Sequence, residues 1–396
     1  MPANNKLLDD FSDNLAQFFN ETKLSNMRLL ALLQRINLRL LILTDPNKFD
    51  LSADWAPYLL HSNLVLNCLT KFKHNKRLAS NIYPASTALK RYTNPINRGG
   101  QQFVLLTEGP IPSLTHSTRH ICLSFLKGSY VDCSQKVMEC VRGAIKGCEK
   151  IDEFDVDFLE VFCAAGSTEM RSLRDRTPSE NFENPLFFPT HGTSLPLPSL
   201  YSSESQVMPD ELPAREFWSD WYKSIIEGKP LDWELQMRVA LIPNSDWDNG
   251  YDHVAGKIEI IYKQWELQLE IEKLKEKLNF DLSHLGCSRL HNGPPDPITD
   301  VEGSLSQVFQ FVSRQIDDLE KEISKTEPDP SVIHRISDSL FEAAKRISIY
   351  WFSIGDTALQ STAKWAGPAI AAYLVTPDGV RSVSQLASNF AKLLGN

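Results

Sequence analysis

Histidines and cysteines lie close together at two places where a metal ion would find ligands. The two groups are His116, His120 and Cys122, and His284, Cys287 and His291. His116 and His120 are four residues apart, with Cys122 nearby, and the second group has spacings of three and four. Residues so spaced share one face of a helix, which is the first requirement for a shared ion. A structural zinc site needs four ligands in two close pairs, and both groups lack the second pair. We therefore predict no metal site and no cofactor.

Basic residues form the best candidate for binding an anionic partner. The residues are Lys71, Lys73, Lys76 and Arg77, with Lys90 and Arg91 downstream. The sequence predicts that the first four residues end a helix. Basic side chains at a helix C-terminus are favoured by the helix dipole, so a structural role competes with a binding role.

Aromatic residues are concentrated between positions 217 and 247. The group comprises Trp218, Trp221, Tyr222, Trp233 and Trp247. It could serve as a ligand cage, but Trp and Tyr in short helices joined by tight turns more often build a small core. We favour the core interpretation.

Motifs that carry known catalytic chemistry are missing from the sequence. There is no Gly-rich phosphate loop, no G-x-S-x-G elbow and no H-E-x-x-H pair. The acidic run from Asp152 to Asp157 is typical of a solvated face or a helix start. We predict no catalytic residues. A hydrolase whose site is assembled from distant residues stays open as an alternative.

The composition is that of a folded intracellular protein. A hydrophobic fraction of 42% supports sizeable cores, and a formal charge of −9 disfavours general binding of nucleic acid. Seven cysteines without a C-x-x-C pair indicate reduced, buried thiols. The N-terminus lacks the pattern of a signal peptide. We predict a cytoplasmic protein, peripheral to the inner membrane if its C-terminal helices contact lipid.

Apolar residues recur at steps of three and four along most of the chain, which predicts a mainly α fold. Helices are expected over the first 45 residues, from Trp55 to Lys73 and between 118 and 170. From 81 to 118 prolines and glycines indicate loops around short helices, and 102–107 fits a strand or a buried turn. Residues 1–183 are the predicted multi-helix N-terminal domain.

The rest of the chain divides at two composition changes. Residues 184–290 form a Pro/Trp-rich segment with short helices and a long amphipathic helix from Asp252 to Leu285, whose seam we expect to pack within the chain. The breaker at 292–297 opens a C-terminal helical domain, 291–396. It is predicted as a helical hairpin or bundle that ends in a helix from Ser382 to Leu394.

The most apolar window extends from Ile347 to Val375 and includes Asp356 and Lys364. A charge near the centre of a spanning helix costs about 2.5–3.5 kcal/mol, so the window does not predict an ordinary transmembrane helix. Its aromatic residues are the candidates for contact with a membrane or a partner protein. They are Trp351, Phe352, Trp365 and Tyr373.

The run from Phe217 to Gly250 resembles a stretch that recurs in uncharacterised helical bacterial proteins. The shared features are W-x-x-W-Y from Trp218, G-x-P-L-x-W from Gly228, and A-L-I-P from Ala240. The resemblance brings no assigned activity. It implies a bacterial source and a structural module.

These observations favour a non-enzymatic helical protein that acts through protein–protein interaction, as a scaffold or sensor with a C-terminal output module. The first alternative is an effector of a bacterial defence or toxin system, including antiviral defence, whose C-terminal helices act on a membrane. The second is the hydrolase described above.

Overall fold

The computed structural model describes most of the chain. The described residues are 2–21, 25–40, 56–93, 110–127, 130–149, 156–173, 177–178, 180–187, 212–287, 301–325, 328–354 and 367–395. Within these ranges all regular elements are helices, which confirms the predicted mainly α fold. By internal contacts the chain divides into two compact units, 1–258 and 259–396. The predicted boundaries at 183 and 290 stay predictions.

Fourteen α-helices and one short 3-10 turn occupy the described ranges. They are α1 (Pro2–Glu21), α2 (Asn26–Leu40), α3 (Ala56–Lys71), α4 (Lys76–Thr93), α5 (Pro110–Lys127), α6 (Val131–Glu149), α7 (Val156–Ser172), the 3-10 turn (Glu180–Glu183), α8 (Arg215–Glu227), α9 (Trp233–Ala240), α10 (Asn244–Asp248), α11 (Tyr251–Cys287), α12 (Val301–Ile323), α13 (Pro330–Ile354) and α14 (Gly367–Leu394). Helix α11 begins in the first unit and continues into the second.

Helix α2 lies at the centre of the N-terminal unit. Every residue from Leu29 to Leu40 is buried, and the helix contacts α3, α5, α6 and α7. Leucines occur on all its sides, so the hydrophobic effect encloses the helix instead of leaving one face in water. As a result its polar residues are enclosed too.

The expectation of loops between 81 and 118 is wrong at both ends. Helix α4 continues through Pro84 to Thr93, and α5 already begins at Pro110. Pro110 and Pro112 fall in the first turn of α5, where backbone N–H groups have no partner within the helix, so proline costs little there. The 102–107 segment lies outside the described residues.

Helices α8 to α10 carry the aromatic group, and the core interpretation of its main members is confirmed. Trp218, Trp221 and Tyr222 are fully buried. The Tyr222 hydroxyl donates to the Leu38 carbonyl oxygen at 3.1 Å, and Trp221 Nε1 donates to Gln236 Oε1 at 3.1 Å. Burial of these large rings stabilises the packing of α8 against α2 and α9, because the Tyr222 hydroxyl and Trp221 Nε1 also form hydrogen bonds to those helices.

The C-terminal unit is built from the predicted apolar stripes. The buried seam of α11 is Leu267, Ile271, Leu274 and Leu278, and it packs with buried residues of α12, α13 and α14 in one core. The seam therefore packs within the chain, as predicted. The hairpin of α12 and α13 is also as predicted.

The last helix is longer than expected, since α14 begins at Gly367 and not near Ser382. The sequence Pro377-Asp378-Gly379 indicates a break, yet the helix continues through it alongside α13. A Cβ atom added at Gly379 would lie 3.3 Å from Leu274 Cδ1. The glycine thus permits a close approach to α11 and does not end the helix.

Candidate functional site

The basic residues 71–77 lie at the junction of two helices, and we call them the basic turn. Helix α3 ends at Lys71, and α4 begins at Lys76. Asn75 Oδ1 accepts hydrogen bonds from the backbone N–H groups of Arg77 and Leu78 at 3.0 and 3.2 Å. Asn75 is thus an N-cap for α4, which gives the turn a defined conformation.

This position corrects the structural explanation suggested by the sequence. Only Lys71 lies at a helix C-terminus, where the helix dipole favours a cation. Lys76 and Arg77 are in the first turn of α4, where the partial charge of the helix is positive and disfavours cations by about 0.3–1 kcal/mol each. The helix dipoles therefore do not explain why two of the four cations are there.

The four cations of the basic turn are exposed, and none of them forms an ion pair with a carboxylate of the described residues. The sequence explains part of this isolation. Between positions 55 and 107 there is no Asp or Glu, while there are seven Lys and Arg residues. The chain has 41 Lys+Arg, so the remaining positions hold 34 against 50 Asp+Glu. Residues 55–107 are thus a positively charged region of a protein whose net charge is negative.

Helix α9 supports the basic turn from one side. Lys71 Nζ lies 5.8 Å from the centre of the Trp233 ring, and Asn75 Nδ2 is 3.7 Å from Met237 Sδ. Trp233 is only partly buried. The acidic residues that flank it are engaged within α9, because Asp232 caps the helix and Glu234 pairs with Arg238 at 2.6 Å.

The downstream residues of the predicted patch are further away. Lys90 and Arg91 lie in the last turn of α4, and the helical rise places Lys90 about 20 Å along the axis from Lys76. Their side chains are outside the described part of the structure. The basic turn and these two residues are thus separate places on one helix.

The aromatic residues proposed for membrane or partner contact are described only in part. Trp351 and Phe352 fall in the last turn of α13 and Tyr373 in the first half of α14, with side chains outside the described part, and Trp365 lies outside the described residues altogether. Among the described residues, no helix combines the length and apolarity that crossing a bilayer requires.

The first histidine pair lies on one face of α5, as the four-residue spacing predicts. Burial lowers the pKa of His120 to about 4, with further lowering by Lys136, His116 and Arg119. The positive charges of Lys136 and Arg119 near His120 disfavour a metal ion at this pair. In the second group, His284 and Cys287 lie at the end of α11 with undescribed side chains, and His291 is outside the described residues. The described residues hold no group of three or more ligands suited to a metal.

The described cysteines are free thiols: Cys68, Cys122, Cys133, Cys140 and Cys163. Four of the five are buried, which confirms the prediction for them. Burial raises the pKa of Cys122 to about 12 and that of Cys133 to about 11. Thiols so far from ionisation are poor nucleophiles, since the thiolate is the reactive form.

The structure contains a buried charged cluster that the local sequence pattern does not indicate. Arg35 and Arg39 of α2 and Glu169 of α7 are each almost fully enclosed. Arg35 Nε pairs with Glu169 Oε1, and Arg39 Nη2 lies 2.7 Å from the same oxygen. We call these three residues the arginine cluster. One feature of the sequence could have indicated the cluster. Helix α2 has no polar face, so its charged residues cannot all point into water.

A second polar group in the core joins α2 to α3 and α5. Asn37 Nδ2 donates to Asn63 Oδ1 at 2.9 Å and to Thr118 Oγ1 at 2.8 Å, and Gln34 Nε2 donates to Asn63 Oδ1 at 3.0 Å. These bonds fix the register of the three helices, because each amide has a specific partner.

Comparisons with known protein families, curated proteins and solved structures find no match to this chain. The resemblance of residues 217–250 to bacterial proteins therefore stays a prediction.

Proposed function

We propose that this chain is a non-enzymatic binding protein whose basic turn contacts an acidic segment of a partner protein. The N-terminal unit is then the binding unit, a scaffold or sensor, and the C-terminal helices are the output module. The observation that carries the proposal is the placement of Lys76 and Arg77 in the first turn of α4 without a carboxylate partner among the described residues. An acidic partner would supply the negative charge that the described residues do not place beside these cations.

The size and surroundings of the basic turn favour a protein over a nucleic acid. A DNA-binding surface that makes several phosphate contacts needs cations along an extended track. Here the described cations of the predicted patch are at one turn, and the positions outside 55–107 carry 34 Lys+Arg against 50 Asp+Glu. A long polyanion meets repulsion there. Trp233 beside Lys71 adds the partly exposed aromatic contact that protein interfaces often contain.

The test uses a short fluorescent polyglutamate peptide, which spans only the basic turn, as the probe and anisotropy as the measurement. We expect the full chain to bind it with an affinity that falls as salt rises, and K73E/K76E to weaken binding about tenfold or more. The matched control is K321E/K345E, which changes the net charge equally at exposed lysines of α12 and α13. The control should bind like the unmodified chain.

Two outcomes would contradict the proposal. If both double variants lose affinity equally, the binding follows net charge and not the basic turn. If the unmodified chain binds a DNA duplex but not polyglutamate, and K73E/K76E weakens the binding of DNA, the partner is a nucleic acid.

A second candidate function is action on a membrane by α13 and α14, and one feature favours it. Ser337 Oγ donates to the Ser384 carbonyl oxygen at 2.8 Å, and Ser384 Oγ donates to the Ser337 carbonyl oxygen at 2.9 Å. Small residues with reciprocal hydrogen bonds are common where helices pair inside bilayers. These two helices also contain the two ends of the apolar window from Ile347 to Val375.

Dye leakage from anionic vesicles tests this second candidate. We expect the full chain to release dye and W351D/F352D to release much less, since a carboxylate resists entry into hydrocarbon. The control is F341D on α13, where Phe341 is already 48% exposed. Intact vesicles with the unmodified chain would rule the candidate out.

A further inference from the structure

The arginine cluster does not balance its own charge. Two guanidinium groups, with side chains 1% and 0% exposed, face one carboxylate that is 3% exposed. Burial lowers the pKa of Arg35, while Glu169 raises it and Arg39 lowers it. Arginine nevertheless stays protonated in proteins, so it cannot escape burial by losing its proton. The three residues together carry one uncompensated positive charge.

Several hydrogen-bond donors of the cluster do have partners. Arg35 Nη2 donates to the carbonyl oxygens of Asn184 and Pro185 at 3.2 and 2.8 Å, and Arg39 Nε donates to that of Leu186 at 2.9 Å. These carbonyls satisfy donors and position the guanidinium groups. They are neutral, however, and leave the net charge unchanged.

The remaining donors point to a missing ligand. Nη1 of Arg35 and Nη1 of Arg39 are buried and have no hydrogen-bond partner among the described residues. Glu169 Oε2 is a buried acceptor that also has no partner among them, so a bound anion would have to lie on the guanidinium side of the cluster, away from that oxygen. Arg39 Nη2 touches Glu169 Oε1 as an ion pair without the geometry of a hydrogen bond. Unpaired donors of a buried charge are costly, and native proteins rarely leave them empty.

We propose that the arginine cluster binds one small inorganic anion, of a size from chloride to phosphate, at the free Nη1 atoms of Arg35 and Arg39. The anion would neutralise the excess charge and accept the hydrogen bonds that the described residues leave unmade. The guanidinium groups are suited to this role, because each presents a planar array of donors to a spherical or tetrahedral anion.

Thermal unfolding of the full chain at constant ionic strength tests the proposal. Sodium chloride or phosphate replaces sodium gluconate, whose anion is too large for an enclosed site. We expect Tm to rise by about 5–10 °C and to saturate with chloride or phosphate. R39M should abolish this rise, because it removes one pair of free donors. R238M is the control at a partly exposed position of α9 and should retain it.

A measurement on the unmodified protein keeps the proposal testable if R39M does not fold. In crystals grown with bromide, anomalous diffraction should show a peak within hydrogen-bond range of Arg39 Nη1. Equal Tm values in chloride and gluconate, together with no bromide peak at the cluster, would overturn the proposal. So would an anion response in R39M equal to that of the unmodified chain, because the anions would then bind elsewhere.

Discussion

The cores of the two compact units are held together in different ways. The N-terminal core encloses charged and amide side chains, and the ion pairs of Glu169 with Arg35 and Arg39 join residues more than 100 positions apart. In the C-terminal unit the described core is apolar apart from the Ser337–Ser384 pair, and most ion pairs are exposed or partly exposed, such as Lys275 with Asp317 at 2.8 Å. The first core depends on specific partners, whereas the second depends on apolar area and close packing. Four predictions test this contrast.

The largest effect is expected from Glu169→Ala. The substitution leaves two buried guanidinium groups without a carboxylate, which should lower the free energy of unfolding by about 3–5 kcal/mol. Urea denaturation followed by circular dichroism measures it. Glu160→Ala, at an exposed position of the same helix, is the control and should leave stability unchanged. A loss below about 1 kcal/mol for Glu169→Ala would mean that the cluster contributes little to the N-terminal core.

In the C-terminal unit the corresponding probe is Ile316→Ala. Ile316 is fully buried in α12, so the cavity and the lost apolar area should lower the free energy of unfolding by about 2–4 kcal/mol. This loss should not change between low and high salt, because no charge is involved. Phe311→Ala in the same helix, where the ring is 42% exposed, is the control with a small effect. A salt-dependent loss for Ile316→Ala would contradict the contrast.

Acid should weaken the N-terminal unit through His61. Its ring stacks on Trp247 with centroids 4.2 Å apart, and burial lowers its pKa to about 4, although the carbonyl oxygen of Ala240 opposes the shift. In the unfolded chain the pKa is about 6.5. The unfolded state therefore binds the proton first as pH falls from about 6.5 to about 4, and stability falls by up to about 1.4 kcal/mol per pH unit.

His61→Phe keeps an aromatic ring and removes this titration. Urea denaturation between pH 7 and pH 4.5 should give a flatter stability profile for the variant than for the unmodified chain. His120 contributes its own slope in both proteins, so the difference between the two profiles isolates His61. Parallel profiles would show that His61 is not neutral and buried in the folded state.

The smallest effect concerns the serine pair between α13 and α14. Ser337→Ala or Ser384→Ala removes one of two reciprocal hydrogen bonds and should cost about 1 kcal/mol. A double-mutant cycle by urea denaturation measures the coupling. If the two single losses are simply additive, the hydroxyl groups act independently and the C-terminal core depends on apolar packing alone.

The same contrast explains what the sequence could predict. In α11 to α13 the apolar stripe, the charged face and the turn residues agree, so the helices and their buried sides follow from local pattern. In α2 the charged residues fall between leucines on every side. Their burial depends on Glu169 and on residues 184–186, and no local pattern connects such distant positions.

The basic turn was predictable as a cluster but not as a structure. Lys71 to Arg77 are visible as a basic run, yet the sequence pattern predicts that all four cations lie at the end of one helix. Asn75 determines where the second helix begins, because its side chain caps α4. Lys76 and Arg77 therefore lie in the first turn of α4. A single capping residue thus places these two cations at the positive end of a helix dipole and not at the negative end.

The position of α2 in the chain has a consequence for protein synthesis. The helix leaves the ribosome before the carbonyl groups that its arginines contact, because those come 147 to 150 residues later. At about 5–20 residues per second this delay is roughly 8–30 s. During that interval the guanidinium groups of Arg35 and Arg39 stay in water, so the N-terminal unit completes folding only after the segment around residue 186 has been made.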